Sequence, residues 1–143
     1  MIEQLTVCLP DGPGKLAAMC GLLGHNGVQI HALMVAETVD FGIIRVICDR
    51  HTAELLCGAG YNAMCTRVVA VEVQNVPGAL GTLLDRLSSC DLNVEYAYTC
   101  CVDSRTVDII KVTGEPLEIK LRESGLALLT AADLYDPDEV TRA

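Results

Sequence analysis

The chain has 143 residues, 51% hydrophobic and 20% charged, and this composition can bury the core of one or two small domains. Its net charge of −9, with no cluster of Lys or Arg, excludes the basic face that nucleic-acid binding requires. No apolar run approaches the roughly 20 residues of a membrane-spanning helix. The start of the chain lacks the basic and apolar segments of a signal peptide. We therefore expect a cytoplasmic protein without a nucleic-acid or membrane partner.

Two halves of the sequence repeat each other at a separation of 64 residues. In the first half the alternating apolar residues are Leu5, Val7 and Leu9, and in the second they are Val69, Val71 and Val73. The same shift aligns a Pro-Gly pair at 13–14 with one at 77–78, without any gap. After an added shift of two residues, the apolar segment 43–46 aligns with 109–112. An ordered series of this kind indicates a duplicated unit.

The first copy reads in chain order as strand, helix, two strands, helix and strand. Alternation predicts a strand over 3–9, and a helix follows with its stripe at Leu16, Met19, Cys20 and Leu23. The next elements are strands 28–36 and 41–48, a helix over 52–58 closed by Gly60, and a short strand over 64–66.

The second copy repeats this order. Its strands are predicted over 68–73, 93–102 and 106–113, and its last helix over 115–124. The first helix has a stripe at Leu80, Leu83, Leu84 and Leu87, and Leu128-Leu129 can start a final strand. The predicted fold is α+β: two ferredoxin-like βαββαβ units in tandem, antiparallel sheets with helices on one face.

Two strands are apolar on both faces. The segments 43–47 and 68–71 do not show the clean alternation of a sheet with one solvated face. We therefore expect the open face to be covered by the other copy or by a second chain. This predicts a homo-oligomer, most simply a dimer.

The turn before the first helix of each copy is the main candidate for a ligand site. Backbone N–H groups at a helix start lack partners, and together with the helix dipole they favour a carboxylate or another anion. A glycine lets a ligand approach the backbone, and an Asp or Asn side chain can accept hydrogen bonds from an ammonium group. The same residues also suit a cap and an ordinary turn, which is the structural alternative. The two turns are Asp11-Gly12-Pro13-Gly14 and Asn75-Val76-Pro77-Gly78.

An amide residue begins the second strand of each copy, where we expect the sheet edge to come near the turn. These residues are Gln29 and Asn93. An amide both donates and accepts hydrogen bonds, which suits the two ends of an amino acid. An exposed strand terminus would tolerate them equally well.

The eight cysteines are best explained as small hydrophobic residues. Cys8, Cys20 and Cys48 lie in apolar runs, and no CxxC spacing occurs. The adjacent Cys100 and Cys101 face opposite sides of a strand and cannot easily share a metal. Metal-ligand and catalytic motifs are also missing from the sequence. We therefore expect no metal, no cofactor and no enzymatic activity.

The duplicated pattern of strand, Asp-x-Pro-Gly, helix and "Gly-Val-x-Ile" resembles the ACT domain. It matches Asp11 to Gly14 with Gly27-Val28-Gln29-Ile30, and Asn75 to Gly78 with Asp91-Leu92-Asn93-Val94. The resemblance implies two ACT domains, 1–67 and 68–143, of the stand-alone tandem kind. It further implies a regulatory protein that binds amino acids, usually at an interface between two ACT units. The implied ligand-binding residues are Asp11, Gly12, Pro13, Gly14, Gln29, Asn75, Val76, Pro77, Gly78 and Asn93.

Together these observations predict an amino-acid-binding regulatory protein, an allosteric sensor that acts on an unidentified enzyme partner. The first alternative is a structural module that oligomerises through its sheets. The second is a thiol-responsive or metal-responsive sensor that uses Cys100 and Cys101. The sequence does not identify the amino acid, because selectivity comes from pocket walls that only the fold assembles.

Overall fold

The computed structural model describes residues 1–49 and 51–135. Contacts divide the chain into two compact units. The first unit contains Glu3–Thr66 and the described residues from Ala131 onward, and the second contains Met1–Ile2 and Arg67–Thr130. The assignment of 1–67 and 68–143 to two ACT domains stays a prediction. No helix among the described residues is long and apolar enough to cross a bilayer.

The first unit has the predicted order of elements. They are β1 (Ile2–Pro10), α1 (Lys15–His25), β2 (Ala32–Glu37), β3 (Phe41–Ile47), α2 (Thr52–Gly58) and the first part of β4 (Asn62–Val73). Strand β3 lies between β2 and β1 and is antiparallel to both. The alternate residues of β1 pack against α1 and α2, and this cluster contains the fully buried Val7, Met19, Leu23, Val46 and Leu56. The alternation seen in the sequence therefore marks the helix-facing side of the sheet.

The second unit repeats the arrangement. After the rest of β4 come α3 (Ala79–Ser89), β5 (Asn93–Val102), β6 (Arg105–Thr113) and α4 (Leu117–Glu123). Strand β6 lies between β4 and β5 and is antiparallel to both. Its core includes Val69, Leu83, Leu87, Ile110 and Leu121. The predicted α+β fold, with the βαββαβ pattern twice, is confirmed.

Four details differ from the sequence prediction. β4 is one continuous strand where two were predicted, because no Gly or Pro separates Thr66 from Val68. β2 begins at Ala32, four residues later than predicted. The predicted final strand is reduced to an isolated bridge between Val71 and Leu128. A short helix, α5 (Ala131–Leu134), was not predicted and belongs to the first unit.

The register of the sheets corrects the alignment of the repeats. Val46 lies opposite Leu5, and Ile110 lies opposite Val69. Because Leu5 and Val69 are equivalent, Val46 is equivalent to Ile110, and the separation of 64 residues persists through the third strand. The predicted two-residue shift was wrong at this strand.

Both faces of β4 are buried over the apolar segment 68–71. Val69 and Val71 belong to the helix-side core of the second unit, while Val68 and Ala70 point to the other face and are 1% and 0% exposed. Burial on both faces accounts for the apolar run at 68–71 without a second chain. A homo-oligomer stays a prediction.

Candidate functional site

The two Pro-Gly turns have the same backbone in both units. Gly14 and Gly78 lie immediately before α1 and α3 in the left-handed conformation, with φ of 79° and 86°. Neither helix has a side chain that caps its first N–H groups. The capping role that Asp11 or Asn75 could have had is therefore not what the structure shows. The first N–H group of each helix is used within the turn, since Lys15 N–H donates to the Gly12 carbonyl at 3.4 Å and Ala79 N–H to the Val76 carbonyl at 3.3 Å. The helix dipole still favours an anion at both starts.

A cavity of about 470 Å³ opens beside the turn of the second unit. Its walls come from the end of β4, the turn, one side of α3 and the segment after α4. A second cavity of about 600 Å³ shares the end of β4 and extends to the β5–β6 hairpin. Four of the residues predicted from the sequence line these cavities: Val76, Pro77 and Gly78 the first, and Asn75 the second.

The first cavity combines an apolar wall with a few polar groups. Val71, Leu83 and Leu126 form part of the apolar wall. Arg86 lines both cavities and brings a guanidinium group, a strong donor to carboxylates. Thr82 donates its hydroxyl hydrogen to the carbonyl of Gly78 at 3.1 Å. The free helix N-terminus and the guanidinium both favour a negatively charged ligand group.

The turn of the first unit is exposed, like that of the second. Asp11, Gly12, Pro13 and Gly14 are all exposed. A Cβ atom on Gly14 would meet no atom within 4 Å. Glycine is therefore required at this position by the left-handed backbone, and packing does not demand it.

The predicted amide residues lie away from the turns of their own units. Asn93 is opposite Thr113, whereas the turn end of the sheet is marked by the pair Val73 and Thr106. Seven residues of strand separate the two ends, about 23 Å. Gln29 lies before β2 and donates to the carbonyl of Ile30 at 3.1 Å. The expectation that the start of this strand comes near the turn is wrong within each unit, although a ligand role for these amides stays a prediction.

A buried acidic residue in the second unit escaped the sequence prediction. Asp108 lies on β6 and is 1% exposed. Thr99 of β5 donates a hydrogen bond of 2.7 Å to its Oδ1. Its Oδ2 is buried and has no hydrogen-bond partner among the described residues. The available signal was a single carboxylate in the otherwise apolar run Val107 to Ile110.

The cysteines are free thiols in varied surroundings. Burial raises the pKa of the Cys48 thiol to about 11. Burial also raises the pKa of Cys100. Within residues 1–49 and 51–135 no three His, Cys, Asp or Glu side chains are grouped so as to hold a metal ion. Raised pKa values disfavour the reactive thiolate form at these two positions.

The fold defines the class of protein: an α+β chain built from two ferredoxin-like units, each with a Pro-Gly turn opening its first helix. A family model for an ACT domain pair matches residues 1–124. The chain belongs to the ACT domain pair family. The resemblance found in the sequence is thereby confirmed.

Comparison with solved structures gives the same fold. The crystal structure of protein BT0572 from Bacteroides thetaiotaomicron is similar to this chain with a TM-score of 0.83 and 32% identity, over 94% of this chain and 96% of that one. The ligand-free regulatory subunit of aspartate kinase from Thermus thermophilus has a TM-score of 0.58 and 16% identity, over 84% and 88% of the two chains. At this identity the second likeness shows the fold alone. A comparison with curated proteins finds no match.

Proposed function

We propose that the protein is an amino-acid-binding regulator without catalytic activity of its own, and that the turn of the second unit binds the ligand. The observation that carries the proposal is the cavity of about 470 Å³ beside Pro77 and Gly78, at the uncapped start of α3. A cavity of a few hundred cubic ångströms is the usual size for a small-molecule site.

The chemistry of this cavity suits a carboxylate. The dipole of α3 favours a negative charge near Gly78 and Ala79, which both line the cavity, although the Ala79 N–H also donates to the Val76 carbonyl at 3.3 Å. Arg86 adds a fixed positive charge on the same helix. Val71 and Leu83 offer an apolar wall for the ligand side chain. Such a site would bind the carboxylate of a small molecule in a fixed orientation. The apolar wall would then select among ligands by how well their side chains pack against it.

Thermal unfolding in the presence of each of the twenty amino acids tests the proposal. A ligand at one hundred times its dissociation constant stabilises the folded protein by about 2.7 kcal/mol. We expect one or a few amino acids to raise Tm, and the propionate or butyrate ion to do so weakly. If no amino acid at millimolar concentration changes Tm, the proposal fails.

Two substitutions locate the site. Val76 lines the cavity and is 55% exposed, so Val76→Asp places a negative charge where the ligand carboxylate is expected, without disturbing the core. The same substitution at Val39, which is 94% exposed in the first unit, is the matched control. We expect Val76→Asp and Arg86→Gln to weaken binding at least tenfold, and Val39→Asp to leave it unchanged. Equal effects of the two Asp substitutions would place the ligand elsewhere.

The regulatory part of the proposal concerns partners. A protein without a catalytic site would act by binding its target in a ligand-dependent way, in the cytoplasm and as a homo-oligomer. Apolar side chains on the edge strand β2 support oligomerisation, since Leu33 and Val35 are 38% and 49% exposed. Light scattering of the wild type and of Val35→Lys tests this: a dimer that becomes a monomer supports it, and an unchanged monomer contradicts it.

A further inference from the structure

At one pair of equivalent strand positions the two units differ in charge. Val7 lies opposite Ile44 in the first unit, and its equivalent Val71 lies opposite Asp108 in the second. A buried isoleucine, 2% exposed, is therefore replaced by a buried carboxylate, 1% exposed. The neighbouring strand changes in the same way, because Val35 pairs with Ile44 while Thr99 pairs with Asp108.

This polar pair is not explained by stability. Replacing a buried charged group by a packed hydrophobic residue is often neutral or stabilising, and the first unit contains that apolar version. Thr99 satisfies only Oδ1 of Asp108, at 2.7 Å. Oδ2 is shielded from solvent and accepts no hydrogen bond from any residue that the structure describes. A buried carboxylate oxygen without a donor is costly unless a donor binds there.

The carboxylate lies next to the cavities of the second unit. Val71 lies directly opposite Asp108 in the register and lines both cavities. Thr106 precedes Asp108 by two residues, on the same face of β6, and lines the larger cavity of about 600 Å³. Directly opposed residues are about 5 Å apart, and residues two apart on a strand about 7 Å. Asp108 itself lines neither cavity, so a small group reaches its shielded Oδ2 only when the side chain of Val71 or Thr106 moves aside.

We propose that Asp108, held by Thr99, recognises a primary ammonium group inside the second unit. An ammonium ion supplies both the N–H donor that Oδ2 lacks and the charge that balances the carboxylate. This inference rests on the proposed function, which supplies the amino-acid ligand. It adds that Asp108 is the residue that binds the amino group of that ligand. The first unit has no equivalent acceptor, because Ile44 occupies the position.

Simple ammonium ions test this without any assumption about the carboxylate. n-Propylammonium chloride carries three N–H donors, and tetramethylammonium chloride carries the same charge with none. We expect the first salt to raise the wild-type Tm by about 3 °C near ten times its dissociation constant, beyond any effect of the second. Equal effects of the two salts would overturn the proposal, since they would show that no hydrogen-bond donor is recognised.

Two variants and one control assign the effect to Asp108. Asp108→Asn keeps an acceptor for Thr99 and removes the charge, and Asp108→Ile installs the residue of the first unit. We expect both to abolish the n-propylammonium shift, with Asp108→Ile unfolding at or above the wild-type Tm. Asp85→Asn removes a charge from the exposed side of α3 and should leave the shift intact. If Asp108→Ile does not fold, Asp108→Asn still decides, and an undiminished shift in that variant overturns the proposal.

The outcomes separate this inference from the proposed function. If n-propylammonium binds through Asp108 but no amino acid changes Tm, the amino-acid proposal fails and the ammonium site stands. If amino acids bind with equal affinity to the wild type and to Asp108→Asn, the ammonium site fails and the turn site stands.

Discussion

Gly14 and Gly78 adopt the same left-handed backbone at the same step of the two repeats, with φ of 79° and 86°. Each glycine lies after a strand and immediately before a helix, and neither helix is capped by a side chain. The glycine thus turns the chain sharply without covering the helix N-terminus. The geometry that the proposed ligand site needs is set by the backbone.

Replacing Gly78 by Ala should destabilise the protein by about 1 kcal/mol, because a residue with a Cβ atom is disfavoured in the left-handed region. The added Cβ would meet no atom within 4 Å, so the cost is expected to come from the backbone alone. Equilibrium unfolding in urea measures it. Gly81→Ala is the matched control, because Gly81 lies inside α3 and a Cβ atom there also meets no other atom. This substitution should stabilise the protein by about 0.5–1 kcal/mol, since alanine favours a helix more than glycine does. A Gly78→Ala variant as stable as the wild type would contradict this account.

The β5–β6 hairpin offers a second backbone test. Asp103 and Ser104 connect the strands with φ of 49° and 67°, the pattern of a two-residue turn that favours glycine at its second position. Ser104→Gly should stabilise the protein by about 0.5 kcal/mol, since relief of backbone strain exceeds the added flexibility of the unfolded chain. Ser104→Val should be less stable than the wild type because a β-branched residue tolerates positive φ poorly. Urea unfolding that ranks Val above Gly would contradict the turn assignment.

Local patterns were sufficient for most of the fold. The sequence predicted α2 and β5 with the bounds that the structure has, Thr52–Gly58 and Asn93–Val102. These elements were predicted from patterns among residues that are close in the sequence. The patterns are alternating apolar residues in strands, apolar residues at helical spacing, and glycines that end helices. The duplicated Pro-Gly turn was found for the same reason. Features of this kind need no knowledge of which strands pair.

Features that depend on pairing between distant residues were missed. The register that makes Ile44 equivalent to Asp108 comes from pairing with Val7 and Val71, and the sequence alignment placed the third strand two residues away. The separation of Asn93 from its turn likewise follows from the antiparallel order of β4, β6 and β5. The cavity walls combine α3 with Leu126, about 40 residues later in the chain. Such combinations are fixed only by the assembled sheet.

Cys48 should react far more slowly than the exposed cysteines. Burial raises its pKa to about 11 from the ordinary value of 9.0, so at pH 8 its thiolate fraction is about a hundredfold smaller than that of an ordinary thiol. Alkylation with iodoacetamide, followed by mass spectrometry, should label Cys57 and Cys101 first. In urea, where the fold is lost, Cys48 should react at the rate of the others. Equal labelling of Cys48 in the folded protein would contradict its burial.

The same thiol predicts how stability depends on alkaline pH. Because the folded-state pKa of Cys48 is raised, the folded protein holds its proton where the unfolded chain has released it. The contribution is therefore fully present below about pH 9 and is lost as the pH rises toward about 11. Cys48→Ala removes this contribution, so its free energy of unfolding should fall less than that of the wild type over this range. Parallel pH profiles for the two proteins would contradict the assignment.

Tyr135 should help to hold α5 on the first unit. Its ring stacks on His31 with centroids 4.6 Å apart and planes 9° from parallel, and its hydroxyl donates to the Cys48 carbonyl at 3.4 Å. Tyr135→Ala should cost about 1 kcal/mol, whereas Tyr135→Phe, which keeps the ring, should cost less than about half of that. In a double-mutant cycle with His31→Ala, measured by urea unfolding, the losses should be less than additive because both variants remove the same contact. Fully additive losses would show that the stacked rings do not stabilise each other.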